Sequence, residues 1–151
     1  MKTQVIAVPP VPRALGLAGV VPFLFLSGLS WFQGPYQAPS QFALMAYGVV
    51  ILSFVGALHW AFAMIADGLS ERERVRYYLW SVVPALLGWI ALLLPPSSTL
   101  ILLLIGFWSH FLLDRQLVAR ATLPRWYLPL RLVLTLMVSL ALLLALGAAL
   151  F

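Results

Sequence analysis

Five apolar runs, each long enough or nearly long enough to cross a bilayer, take up most of this chain, and the segments between them hold most of its charge. A hydrocarbon core about 30 Å thick asks for roughly 20 apolar residues per helical crossing. The runs fall at about 14–32, 41–66, 77–94, 99–113 and 126–151. Of the 151 residues, 64% are hydrophobic and 9% charged, whereas a soluble domain carries about 25% charged residues. Nine Lys/Arg and four Asp/Glu cannot coat a water-soluble surface, so lipid must be the outer solvent. The expected fold class is all-α: a polytopic transmembrane helical bundle of about five spans. Residues 1–151 form one transmembrane domain, since no soluble insertion exceeds about a dozen residues.

Punctuation along the chain sets the expected elements. Pro9, Pro10 and Pro12 mark the first thirteen residues as a tail that does not continue a helix. Lys2 and Arg13 before the first run imitate a signal peptide, but the small-residue cleavage site is poor, so the run reads as an uncleaved helix bent at Pro22. Ser40 is the expected N-cap of the second helix. Ser70 and Glu73 have capping-box spacing, which starts the third helix before its apolar part at Tyr77. Pro95 and Pro96 end that helix, and Ser97 and Ser98 offer caps for the fourth. The fourth run is short, so its flanks must extend it or the bilayer must thin. Asp114 to Arg125 reads as a polar connection, and Pro124 as the first turn of the fifth helix.

The basic residues fix an orientation. Lys2 and Arg13 precede the first run; Arg72, Arg74 and Arg76 lie between the second and third. Arg115, Arg120 and Arg125 lie between the fourth and fifth, with Arg131 just inside the latter. All nine fall on one side of a five-span scheme. By the positive-inside rule that side is the cytoplasm, or the matrix of a mitochondrion, giving N-in/C-out. A bacterial inner-membrane, multi-pass protein is expected. Trp31, Tyr36, Tyr77, Tyr78, Trp80, Trp126 and Tyr127 stand near span ends as interfacial anchors. The net charge of +5 does not indicate nucleic acid, because every basic residue flanks an apolar run or lies just inside one.

Ionisable groups inside a span are costly and call for a functional reading. His59 lies roughly 12 Å inside Asp67, His110 roughly 6 Å inside Asp114, and Arg131 roughly 9 Å beyond Arg125, at 1.5 Å per residue. Each sits on a small or polar stripe at helical spacing: Gly48, Gly56, His59, Ala63 and Asp67; Gly106, His110 and Asp114; Arg131, Thr135, Ser139 and Gly147. Small residues mark helix contact in lipid, so Gly48, Gly56, Gly106, Thr135 and Ser139 are the expected packing positions. The candidate pocket comprises His59, His110, Asp114 and Arg131, with Trp60 beside His59. Structural readings compete with it. Arg131 is near enough to the interface to snorkel, His110 and Asp114 could simply pair with each other, and His59 could cap a backbone carbonyl. Trp60, Trp89 and Trp108 also read as packing.

Several stretches in series carry a resemblance. They are Leu15-Gly16-Leu17-Ala18-Gly19 with Pro22-Phe23, Tyr47-Gly48, Ile51 to Gly56, His59-Trp60, Pro84-Ala85 and Asp114. Pro124-Arg125-Trp126-Tyr127, Leu130-Arg131 and Leu134-Thr135 complete the set. The chain resembles a family of small multi-pass membrane proteins classed as a domain of unknown function, with proteobacterial members and an animal mitochondrial transmembrane protein. The resemblance covers nearly the whole chain and implies no activity. It picks out Ser53, Gly56, Trp60, Asp114, Trp126, Arg131 and Thr135. In that family's pattern the position before the tryptophan is often arginine, which cannot ligate haem iron.

Function is less constrained. With no cysteine, thiolate chemistry is excluded. Nucleophile triads, phosphate loops and metal clusters have no counterpart, so neither catalysis nor a metal is expected. No cofactor is expected either, although paired histidines could bind a b-type haem and the polar pocket a quinone head. Two hypotheses follow. One is a non-enzymatic accessory or assembly factor of a larger membrane complex, or a homo-oligomer. The other is a binder or carrier of a lipid or quinone through a cytoplasmic-side polar pocket.

Overall fold

The computed structural model describes residues 8–150. Five α-helices follow one another: α1 (Pro10–Leu29), α2 (Gln37–Ile65), α3 (Glu71–Ala91), α4 (Pro96–Val118) and α5 (Tyr127–Leu150), with no strand among the described residues. Helices α1, α2, α4 and α5 are long and apolar enough to cross a membrane. Helix α3 has charges in its first two turns, from Glu71 to Arg76, and becomes apolar from Tyr77.

Three helix starts depart from the sequence reading, all for reasons of backbone chemistry. The proline-rich segment is not wholly a tail, because α1 begins at Pro10. The first N–H groups of a helix have no intrahelical acceptor, so Pro10 and Pro12 lose nothing there. Helix α2 begins at Gln37, so Ser40 is a buried residue inside it rather than its cap. Helix α4 begins at Pro96, with Pro95 preceding it in an extended conformation, and neither Ser97 nor Ser98 caps it. Thr99 does related work: its hydroxyl meets the carbonyls of Ala91 (2.6 Å), Leu94 (3.2 Å) and Pro95 (3.1 Å) at the α3–α4 corner.

Two further corrections lengthen and shorten elements. The segment after Asp114 is not a loop at first, because α4 runs to Val118. Its 23 residues reach about 34 Å, enough for a bilayer core without thinning. Pro124 precedes α5 rather than opening it; its carbonyl accepts the N–H of Tyr127 at 2.9 Å. The expected capping box does form. Ser70 donates to the Glu73 carboxylate from its N–H (2.8 Å) and its hydroxyl (2.7 Å), and Arg120 also pairs with that carboxylate. The two Ser70 bonds, with Arg120 beside them, hold the exposed Glu73 carboxyl down to about 2.

The helices close a ring, α1 to α2 to α3 to α4 to α5 and back to α1, with α2 and α4 also in contact across it. At one end the α2–α3 and α4–α5 connections are tied: Thr122 N–H donates to the Asp67 carbonyl (3.3 Å) and Arg76 to Gln116 (2.6 Å). At the other end Trp31 donates from its indole to the carbonyl of Leu144 (3.0 Å). Small residues set the spacing inside. A Cβ on Gly56 would sit 2.8 Å from Pro84 Cγ and 3.0 Å from the Ser81 carbonyl oxygen. One on Gly48 would meet Leu103, and one on Gly106 would meet Leu52. Thr135 and Ser139 are buried on α5.

Burial is inverted relative to a soluble protein. His59, His110 and Asp114 are fully buried, while Val50, Phe54, Leu79, Trp89 and Leu143 are exposed. Water would penalise such a surface and lipid does not. Two apolar layers fill the interior. One, around Phe23, Leu52, Leu103, Phe107 and Leu142, occupies most of the bundle; the other, around Ala63, Leu69, Tyr77 and Leu117, lies at the charged end. His59 on α2 and His110 and Asp114 on α4 lie between these layers in sequence.

Candidate functional site

Asp114 is the hub of the polar layer. It reaches inward because α4 carries Gly106, His110 and Asp114 on one face, and Leu117 continues that buried face. Its Oδ1 accepts from His59 Nε2 (2.9 Å) on α2 and from the Tyr127 hydroxyl (2.9 Å). Its Oδ2 accepts from Arg131 Nε (2.8 Å) on α5. A carboxylate only accepts hydrogen bonds, so His59 carries its proton on Nε2 for this contact. His110, one helical turn before Asp114, is farther away: its Nε2 lies 3.7 Å from Oδ1.

The two imidazoles are placed by aromatic neighbours. The indole N–H of Trp80, on α3, donates to His110 Nδ1 at 3.1 Å. An indole can only donate, so His110 Nδ1 holds a lone pair and Nε2 the proton. The His59 and His110 rings lie 4.5 Å apart between centroids, and Tyr77 meets His59 edge-on at 5.4 Å. Among the described residues, three buried side-chain polar atoms have no hydrogen-bond partner: His59 Nδ1, His110 Nε2 and Arg131 Nη2.

The four ionisable residues read from the sequence therefore meet, and Trp60 does not join them. Trp60 is half exposed and packs edge-on against Tyr78, with centroids 5.0 Å apart, on the outer side of α2. Arg131 does not snorkel outward; it is buried on Asp114. His59 does not cap a backbone carbonyl. Tyr77, Trp80 and Tyr127, expected as interfacial anchors, belong to the cluster instead. Tyr127 could have been found from its spacing: Tyr127, Arg131, Thr135 and Ser139 recur every four residues and share one buried face.

Donor chemistry limits what the cluster can hold. Ligand atoms of His59, His110 and Asp114 lie within 4.8 Å of one another, close enough to suggest a metal. A metal needs a free imidazole lone pair. His59 gives its Nε2–H to the carboxylate, and Trp80 forces the proton of His110 onto the nitrogen nearest Asp114. A metal held between the three through the imidazole nitrogens nearest Asp114 would have to break both arrangements. Bis-histidine haem ligation needs a porphyrin between the rings, and two rings 4.5 Å apart leave no such gap.

Beside the cluster lies a cavity of about 410 Å³ between α1, α2 and α5. Leu15, Gly19, Phe23, Phe54 and Leu58 give it apolar walls. Its polar lining comes from α5 and the residue before it: Trp126, Tyr127, Arg131 and Thr135. Phe62, also at its wall, packs edge-on against Tyr127 with centroids 5.4 Å apart. A groove lined by Phe111, Arg115 and Leu132 lies on the α4–α5 side.

An all-helical bundle with apolar residues outside and an ion-paired polar layer inside defines an integral, multi-pass membrane protein. The chain belongs to the family described as "Protein of unknown function (DUF3429)", which it matches over residues 8–147. It is 35% identical over 125 residues to Transmembrane protein 69 of Xenopus tropicalis, covering 80% of this chain and 47% of that protein. It is 27% identical over 136 residues to Transmembrane protein 69 of Mus musculus, covering 89% of this chain and 54% of that protein. The chain thus spans about half the length of these curated relatives. No solved structure matches it.

Proposed function

We propose that this protein binds a membrane amphiphile, a lipid or a quinone, with the head against Tyr127, Arg131 and Thr135 and the tail along the apolar walls of the cavity. The observation that carries this reading is the cavity itself: apolar on α1 and α2, polar at one strip of α5, and within the 300–1,000 Å³ range of small-molecule sites. The Arg131 guanidinium, paired with Asp114, belongs to the side chain that lines that strip. The other reading, an accessory factor of a larger complex, has no residue-level feature attached to it, whereas the cavity gives the binding reading one. In this proposal the charged end faces the cytoplasm of a bacterial inner membrane.

The test is to purify the protein in mild detergent and identify bound molecules by native mass spectrometry. A co-purifying lipid or quinone is expected, with occupancy lowered by Gly19→Leu. That glycine lines the cavity, and a Cβ there would meet only the Tyr47 hydroxyl, at 3.9 Å, so the fold should tolerate the change. A stoichiometric protein partner with no bound amphiphile would favour the accessory role instead.

A further inference from the structure

We infer that the ligand of this cavity has an uncharged head with a carbonyl or hydroxyl oxygen, and that Asp114 sets this selectivity by cancelling the charge of Arg131. The inference rests on the binding reading above. A lone buried arginine would recruit an anion, such as a lipid phosphate. Here Arg131 Nε is already bonded to Asp114 Oδ2 at 2.8 Å, and Asp114 is fully buried. The pair carries no net charge. A phosphate brought to Arg131 would be a second anion on one cation in a low-dielectric site. Its repulsion with Asp114 offsets its attraction to the guanidinium.

A neutral oxygen meets no such opposition. The guanidinium has five N–H groups, of which Nε serves the carboxylate; the side chain is 10% exposed and lines the cavity, so the rest of the group can meet an acceptor there. A carbonyl or hydroxyl oxygen accepts from the guanidinium without adding charge. The Tyr127 hydroxyl is not available as a competing donor, because its proton is committed to Asp114. Two membrane sources share this chemistry: the ring carbonyls of a quinone, and the ester carbonyls and hydroxyl of a neutral glycerolipid.

The experiment measures equilibrium binding of three probes to the purified full chain in neutral detergent micelles: a short-tail quinone, a diacylglycerol and a phosphatidylglycerol. We expect at least one neutral probe to bind at least about tenfold tighter than the anionic lipid. We expect Asp114→Asn, which keeps the shape and removes the negative charge, to reverse that order. Which neutral probe wins separates the quinone from the glycerolipid. Tighter binding of phosphatidylglycerol to the unaltered protein would overturn the inference and leave the binding reading standing. Binding of none of the three would overturn both. Should Asp114→Asn fail to fold, Gly19→Leu serves as the second variant; if neutral-probe binding survives it undiminished, the probe is not in this cavity and the inference falls.

Discussion

At the scale of single residues, the polar layer depends on charge compensation around Asp114. Burying a charge in a lipid-facing bundle is expensive, and removing one partner of a buried pair leaves the other uncompensated, at about 3–5 kcal/mol. Asp114→Ala should therefore lower the thermal unfolding midpoint in detergent sharply. Replacing both partners, as Asp114→Leu with Arg131→Met, removes two desolvation penalties together and should recover a large part of the loss. A double-mutant cycle on thermal unfolding reads this directly. Additive losses would show that the pair is not coupled. The four ionisable members were legible in the sequence because charges and imidazoles within an apolar run have few alternatives to pointing inward. Tyr77, Trp80 and Tyr127 were not, since an aromatic with a polar tip near a span end suits a headgroup region as well as a buried carboxylate or imidazole. Trp60 falls outside the cluster because adjacency to His59 in sequence places it about 100° away around a helix.

At the scale of elements, close helix approach explains both what the sequence showed and what it hid. The stripe Gly48, Gly56, His59, Ala63 and Asp67 was readable at helical spacing; its first four members are buried on α2, whereas Asp67 lies beyond the end of the helix and is exposed. The helix starts were less readable. A proline in the first turn ends nothing and needs no partner, so it looks like a breaker in sequence and acts as a beginning in the fold. The packing itself gives a graded prediction. Gly56→Leu should reduce folded yield in detergent, because its Cβ alone would press on Pro84 and on the Ser81 carbonyl, neither of which can swing away. Gly56→Ala should cost about 1–3 kcal/mol, as overpacking does. Gly106→Ala should cost less, because the nearest atom, at 2.7 Å, is a methyl of flexible Leu52. Gly28 meets nothing within 4 Å, so Gly28→Ala should be neutral or slightly stabilising. Val50→Leu, on the exposed side of α2, should be tolerated. Thermal unfolding of the set checks the order, and equal losses at Gly56 and Val50 would mean that the stripe is not the packing face.

At the scale of the whole molecule, the charges and the ring of helices bear on the same question, which way the protein lies in its membrane. The α2–α3 and α4–α5 connections are hydrogen-bonded to each other at one end of the bundle, where Arg72 and Arg74 of the first turn of α3 and Arg120 and Arg125 of the α4–α5 connection gather. Part of that charge also holds the fold together. Arg74 donates to the carbonyls of Ala63 (2.6 Å) and Ala66 (3.0 Å) at the end of α2, and Arg120 pairs with Glu73. Arginines used in this way still count for insertion, because the positive-inside bias acts on the loops as the spans enter the membrane. Reversing the protein would carry all of them across, whereas the connections Ser30–Tyr36 and Leu92–Pro95 contain no basic residue. The expected arrangement is thus charged end inside and the end of α5 outside. A reporter active only outside the cytoplasm should be active when fused after Phe151 and silent when fused to a chain cut after Ser70. The opposite pattern would refute the orientation. Activity at both sites or at neither would mean that α3, whose first two turns are charged, does not cross together with the four more apolar helices.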